Sequence, residues 1–290
     1  MNNESEINAL IQLLDDNDTE VFNHVHHKLK SFGQGIIPVL EQAWVSQLNP
    51  AAHSRIEDII NEIYFDTLVN EWKQWLTDSD NPDLLTGAFL VAKYHYPEIA
   101  LVDLQKKIQK IKQSIWLELN NHQTPLEQVQ IFNQVLYSIH NFKGLQSSFD
   151  YQDYCINCLL DNKKGSAICI GIIYQLVAME LNLPVYGVPL FRHFILAFCK
   201  RTILDFSDSG NLEKEVMFYI NPINKGSVFS RNEIKDYLEK MKVVSNASYF
   251  KPATNLSIIK ELLKSLIETF THLNRHDRVK ELNLLVELMK

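Results

Sequence analysis

The sequence predicts an α+β protein that is predominantly helical. Three observations carry that reading. Apolar residues recur at helical spacing through the first third of the chain. Strand-length apolar runs, separated by turn residues, fall between about residues 184 and 222. From Arg231 onward the periodicity is helical again. The chain of 290 residues is 46% hydrophobic and 22% charged, a composition that buries a sizeable core and excludes disorder as the main state. Its formal charge of −7 argues against a nucleic-acid partner, which requires a basic face.

Each element follows from local pattern. Ile7, Leu10, Leu13 and Leu14 mark a first helix that breaks at Asp15-Asp16-Asn17-Asp18. Val21, Val25 and Leu29 mark a second, which stops near Gly33 and Gly35, and Ile36 to Trp44 a third. Such helix pairs joined by Asp/Asn-rich turns read as HEAT-like repeats, which must stack on neighbours to bury their faces. Ile56, Ile59, Ile60 and Ile63 form one apolar stripe, and Leu84 to Tyr94 another helix. Val102–Asn120 and Val129–Ile139 read as amphipathic helices, Asn141–Tyr151 as a loop, and Tyr154–Leu160 as a short helix. A long helix opens at Gly165 and reaches about Leu181. Three strands follow, at residues 184–188, 193–199 and 216–220, as an antiparallel meander. Asn255–Leu273 and Arg278–Leu288 form a helical hairpin of the tetratricopeptide kind. Three regions result: a HEAT-like region at 1–97, a core at 98–240 and a tetratricopeptide-like hairpin at 241–290.

The most apolar stretch, Ala167 to Met179, contains Gln175 and is shorter than the ~20 residues of a membrane span, so no membrane association is expected. The N-terminus is acidic and polar, unlike a signal peptide, which predicts a cytoplasmic protein with reduced cysteines.

Several segments invite chemical readings. Cys155-Ile156-Asn157-Cys158 has Cys-x-x-Cys spacing, but no second pair supplies the roughly four ligands of a zinc site, so helix packing is the reading. His24, His26 and His27 lie on one helix and point in different directions, as on a solvated face. Asp15 to Asp18 lacks the Gly and Glu of a calcium loop and reads as a turn that caps a helix. Neither a metal nor a cofactor is expected.

The stretch from Phe132 to Ser230 resembles a known family. Phe132-Asn133-Gln134-Val135-Leu136-Tyr137, Phe142-Lys143-Gly144, Lys163-Lys164-Gly165, Asn182 to Val188, His193-Phe194 and Asn221-Pro222-Ile223-Asn224-Lys225-Gly226 occur in the order and spacing of bacterial SirB-type proteins. These belong to the transglutaminase-like superfamily. The resemblance implies helical repeats, a degenerate transglutaminase-like (papain-like) core and a tetratricopeptide-like tail. Active members use Cys, His and Asp, with the cysteine at a helix start, where the dipole favours thiolate.

In this chain the resemblance puts Ala167 at the cysteine position, His193 at the histidine position and Asn221 at the aspartate position. Ala167 has no nucleophile, and an amide cannot stabilise imidazolium as a carboxylate does. Cys169 is the alternative nucleophile, although two helical steps turn it ~200° from Ala167. Ser166 reads as a helix cap. The resemblance therefore implies a non-catalytic scaffold that binds protein or peptide. The alternatives are a weak cysteine-type amide hydrolase or transamidase using Cys169 and His193, or a ligand-binding pocket without turnover.

Overall fold

The computed structural model describes residues 2–16, 18–46, 49–77, 80–120, 122–146, 150–203, 206 and 212–290. The chain divides into two compact units, Met1–Gln74 and Trp75–Lys290.

The first unit is built from α1 (Asn2–Gln12), α2 (Thr19–Ser31), α3 (Ile37–Ser46) and most of α4 (Pro50–Thr77). Its core joins Leu14, Val25, Leu29, Leu40, Ile56 and Ile59, the stripes that the periodicity identifies. Asp18 caps α2 by accepting a hydrogen bond from the Glu20 N–H at 2.8 Å, so the acidic turn starts a helix; Asn17 lies outside the described residues. Of the three histidines on α2, His26 pairs with Glu62 at 3.1 Å. That carboxylate also meets Lys30 at 2.6 Å.

The second unit is α+β. Its helices are α5 (Leu84–Lys93), α6 (Leu101–Trp116), α7 (Pro125–Asn133), α8 (Ile156–Asn162), α9 (Ala167–Glu180), a short α10 (Leu212–Glu215), α11 (Arg231–Lys240), α12 (Asn255–His272) and α13 (His276–Glu287). A four-stranded antiparallel sheet runs in the order β3 (Val185–Leu190), β4 (His193–Cys199), β5 (Val216–Asn221) and β6 (Ser227–Phe229). The described residues of 1–97 contain no strand.

Three details depart from the sequence reading. The sheet extends past residue 222 to β6, because the Asn221–Gly226 turn reverses the chain tightly enough for three more residues to pair. The Asn141–Tyr151 segment holds β1 (Lys143–Gly144), which pairs in parallel with β2 (Lys164–Gly165). The helix expected over Val129–Ile139 starts earlier, at Pro125 behind a Thr124/Glu127 capping box, and its last six residues, Gln134–Ile139, are π-helical.

Helix α9 is apolar on all sides and is buried, as a core helix must be. Ser166 caps it by accepting from the Cys169 N–H at 3.4 Å. Its one buried amide, Gln175, is satisfied on both ends. Oε1 accepts from the Gly187 N–H at 2.6 Å, and Nε2 donates to Asn255 Oδ1 at 3.3 Å.

Candidate functional site

The two faces of the sheet are set by strand alternation. Phe194 and Leu196 of β4 point toward α9. The Phe194 ring lies against Gly171 and Gly187, where a Cβ at either position would collide with it. Ile195, Ala197 and Cys199 point the other way, into a cluster with Tyr219 and with Ile234 and Leu238 of α11. His193 shares their parity. Its ring stands 5.3 Å from the Tyr237 ring of α11, close to perpendicular.

Asn221 ends β5. Continuing the Leu196–Ile220 register by one residue sets it beside Ile195, on the α11 face. His193 and Asn221 therefore line one cleft of about 770 Å³, together with Leu190, Asn224, Glu233, Ile234 and Tyr237. Partial burial lowers the His193 pKa and favours neutral imidazole.

Two polar residues of the cleft bind their own segments. Asn221 Oδ1 accepts the Ile223 N–H at 3.0 Å and the Asn224 N–H at 3.3 Å. Glu233 Oε2 accepts from the Ser230 N–H at 2.7 Å and from its hydroxyl at 2.9 Å, which closes the capping box of α11. Among the described residues no side-chain hydrogen bond joins Asn221 or Glu233 to His193.

Ala167 is the first residue of α9. Two residues before it, the Gly165 carbonyl accepts from the Leu145 N–H at 3.0 Å, and Gln146, the residue after Leu145, lines the cleft. Ala167 lies one turn before Gly171, on the helix that packs against the Phe194 face of the sheet. Of the three positions that the resemblance assigns to a triad, His193 and Asn221 line one cleft, and Ala167 stands at the start of α9. Cys169, the alternative nucleophile, is fully buried near Ser166, Asp153 and Cys158. Burial pushes its thiol up to about 12.

The remaining residues of the resemblance hold the Asn221–Gly226 turn in place. Asn133 Nδ2 donates to the Gly226 carbonyl at 2.7 Å, and Asn133 Oδ1 accepts from the Tyr174 hydroxyl at 3.2 Å. The Tyr137 hydroxyl donates to the Pro222 carbonyl at 3.0 Å. Phe132 stacks on Tyr174 with centroids 3.9 Å apart. Gly226 has φ +70°, and Asn133 occupies the space a side chain there would need. Sequence reasoning identified these residues by resemblance but missed their clamp, which joins segments 93 residues apart.

Cys158, which the sequence assigns to helix packing, is half-buried. Its thiol is held down at about 7, first by a hydrogen bond from Cys155 and then, against burial, by one from Tyr96. Among the described residues, no group of three or more His, Cys, Asp or Glu side chains is arranged to hold a metal ion. Nor is any described helix long and apolar enough to cross a membrane.

Comparison with known proteins adds a family. The transglutaminase-like superfamily matches over residues 102–264, more than half of the chain. A UPF0162 protein of Xylella fastidiosa (strain 9a5c) is 22% identical over 226 residues, covering 71% of this chain and 72% of the relative. A UPF0162 protein of Vibrio cholerae serotype O1 is 22% identical over 162 residues, covering 56% of this chain and 55% of the relative. No solved structure matches the chain.

Proposed function

The chain belongs to the transglutaminase-like superfamily, and from that premise we propose that it is a non-catalytic, SirB-type interaction protein. In this reading the core no longer performs acyl transfer. The HEAT-like region at 1–97 and the tetratricopeptide-like hairpin at 241–290 flank a core at 98–240 and present surfaces to a protein or peptide partner in the bacterial cytoplasm.

The observation that carries the reading is the separation of thiol from base. Acyl transfer by a cysteine needs a thiolate within hydrogen-bond reach of an imidazole, which a third group orients. Ala167 offers a methyl group, and Cys169 is sealed in the core with its pKa raised. His193 projects from the opposite face of the sheet, and Asn221 binds its own turn.

A second reading is favoured by the cleft itself. Its volume of about 770 Å³ and its mixed lining of Leu190, His193 and Tyr237 suit a small ligand bound without turnover. The amide-hydrolase alternative would require Cys169 to reach His193, which the burial of Cys169 opposes.

The test is acyl transfer from a glutamine peptide to an amine, paired with site-resolved alkylation by iodoacetamide. No transfer and slow labelling of Cys169 are expected. Rapid labelling of Cys169 that His193→Ala abolishes would reject the proposal and establish the hydrolase.

A further inference from the structure

The Cys-x-x-Cys segment does not line the cleft. Cys155 is the residue that precedes α8, with an extended backbone (φ −103°, ψ 121°), and Cys158 lies in the first turn of that helix. Leaving the helical conformation at Cys155 turns its side chain back toward Cys158, three residues on, as at the two positions of a capping box.

The two sulfurs have different surroundings. Cys155 is fully buried. It can also turn its S–H to the Tyr151 carbonyl, 3.4 Å away. Cys158 is partly accessible and receives a second hydrogen bond from the Tyr96 hydroxyl. The carboxylates facing it, Asp150 and Asp161, oppose ionisation. Asp161 is paired with Lys107. The net result is an acidic, reachable sulfur backed by a buried one whose own pKa is pushed well up by the pairing and by burial.

We propose that Cys155 and Cys158 form a dithiol–disulfide redox pair that reacts with low-molecular-weight disulfides, Cys158 attacking and Cys155 resolving. The Cys158 thiolate attacks one sulfur of the small disulfide, breaks its S–S bond and expels one small thiolate, which takes up a proton from solvent. Cys155 then loses its proton and attacks Cys158 Sγ, expelling the second small thiolate, which is protonated in turn. The protein dithiol loses two electrons and two protons, and the small disulfide is reduced to two thiols. An accessible low-pKa thiol next to a resolving cysteine is the arrangement such exchange requires. Cys155 is the N-cap of α8 and Cys158 lies three residues on, the two positions whose side chains meet in a capping box, so closure to the ~2.05 Å of a disulfide needs only local adjustment.

The experiment uses the full chain and oxidised glutathione as the probe, followed by alkylation of free thiols, tryptic digestion and mass spectrometry. Both cysteines fall in one peptide, Gly144–Lys163. In the wild type this peptide should lose two hydrogens and resist alkylation, while Cys169 and Cys199 stay reduced. Before oxidation, Cys158 should alkylate roughly tenfold or more faster than either of those buried thiols. Cys155→Ala should trap glutathione on residue 158, and Cys158→Ala should leave Cys155 unmodified. Circular dichroism reports whether each variant is folded, and the wild-type result stands without them. A wild-type peptide that remains fully alkylable, or that retains glutathione on Cys158 without closing, would overturn the proposal.

Discussion

The two faces of the four-stranded sheet divide the chemistry between them. The face toward α9 is closed: Phe194 fills the space over Gly171 and Gly187, and the nearby thiol, Cys169, is buried on all sides. The face toward α11 is open at one end, where His193 and Asn221 line a cleft. A thiol without a base lies on one side and a base without a thiol on the other. Burial of the thiol and the phase of the strand that carries His193 together keep Cys169 from the imidazole.

If the closed face is as tightly filled as its geometry states, Phe194→Ala should have the largest effect. Removing a buried aromatic ring from between two glycines leaves a cavity that no neighbouring side chain fills, at a cost of about 3–5 kcal/mol. Urea denaturation checks this. A loss under about 1 kcal/mol would mean that the ring is not packed against α9.

A second test concerns a largely buried polar group. His95 lies 4.5 Å from the Tyr151 ring and 5.4 Å from the Phe270 ring, and its Nε2 has no hydrogen-bond partner. Burial, then the charge of Arg278, pushes its pKa down to about 3. The folded state thus binds this proton less readily than the unfolded chain, for which the value is ~6.5. Stability from neutral His95 is complete above about pH 6.5 and is lost as pH falls from there toward 3. Between pH 7 and 5 the loss should be about 2 kcal/mol. Unfolding free energies at the two pH values, compared with those of His95→Phe, check it. The variant should remove that part of the slope, and an unchanged slope would place the titration elsewhere.

A smaller effect is expected on the open side. Asn133→Ala removes the clamp on Gly226 and leaves the buried Tyr174 hydroxyl without its acceptor, costing about 1–3 kcal/mol. Thermal melts of Asn133→Ala and Asn133→Asp separate the clamp from simple volume loss. Asp keeps the acceptor for Tyr174 but loses the donor to Gly226, so it should fall between Ala and wild type.

Much of the fold was legible. Periodicity gave the helices of the first unit, and apolar runs gave β3, β4 and β5 within a residue or two. The Ser166 cap followed from its position before an apolar helix. What escaped was too short or too distant to leave a pattern. Strands β1, β2 and β6 are two or three residues long and pair only because the Asn221–Gly226 turn and the start of α9 bring them together. The site was half legible. Asn-Pro-Ile-Asn is turn chemistry, and Asn221 binds its own turn as such residues do. The side on which His193 stands was not readable. The strand from His193 to Cys199 is apolar on both faces, so no polar alternation reveals its phase. The acidity of Cys158 depends on Cys155 and then on Tyr96, a partner distant in sequence.

The separation of thiol from base is tested most directly by asking whether His193 controls Cys169. The alkylation rate of Cys169 should be followed against pH, with and without His193→Ala. Slow, superimposable profiles are expected for the two proteins, with the Cys169 thiol titrating well above neutral pH. A Cys169 thiol that titrates well below neutral pH, and loses that property when His193 is replaced, would contradict the separation.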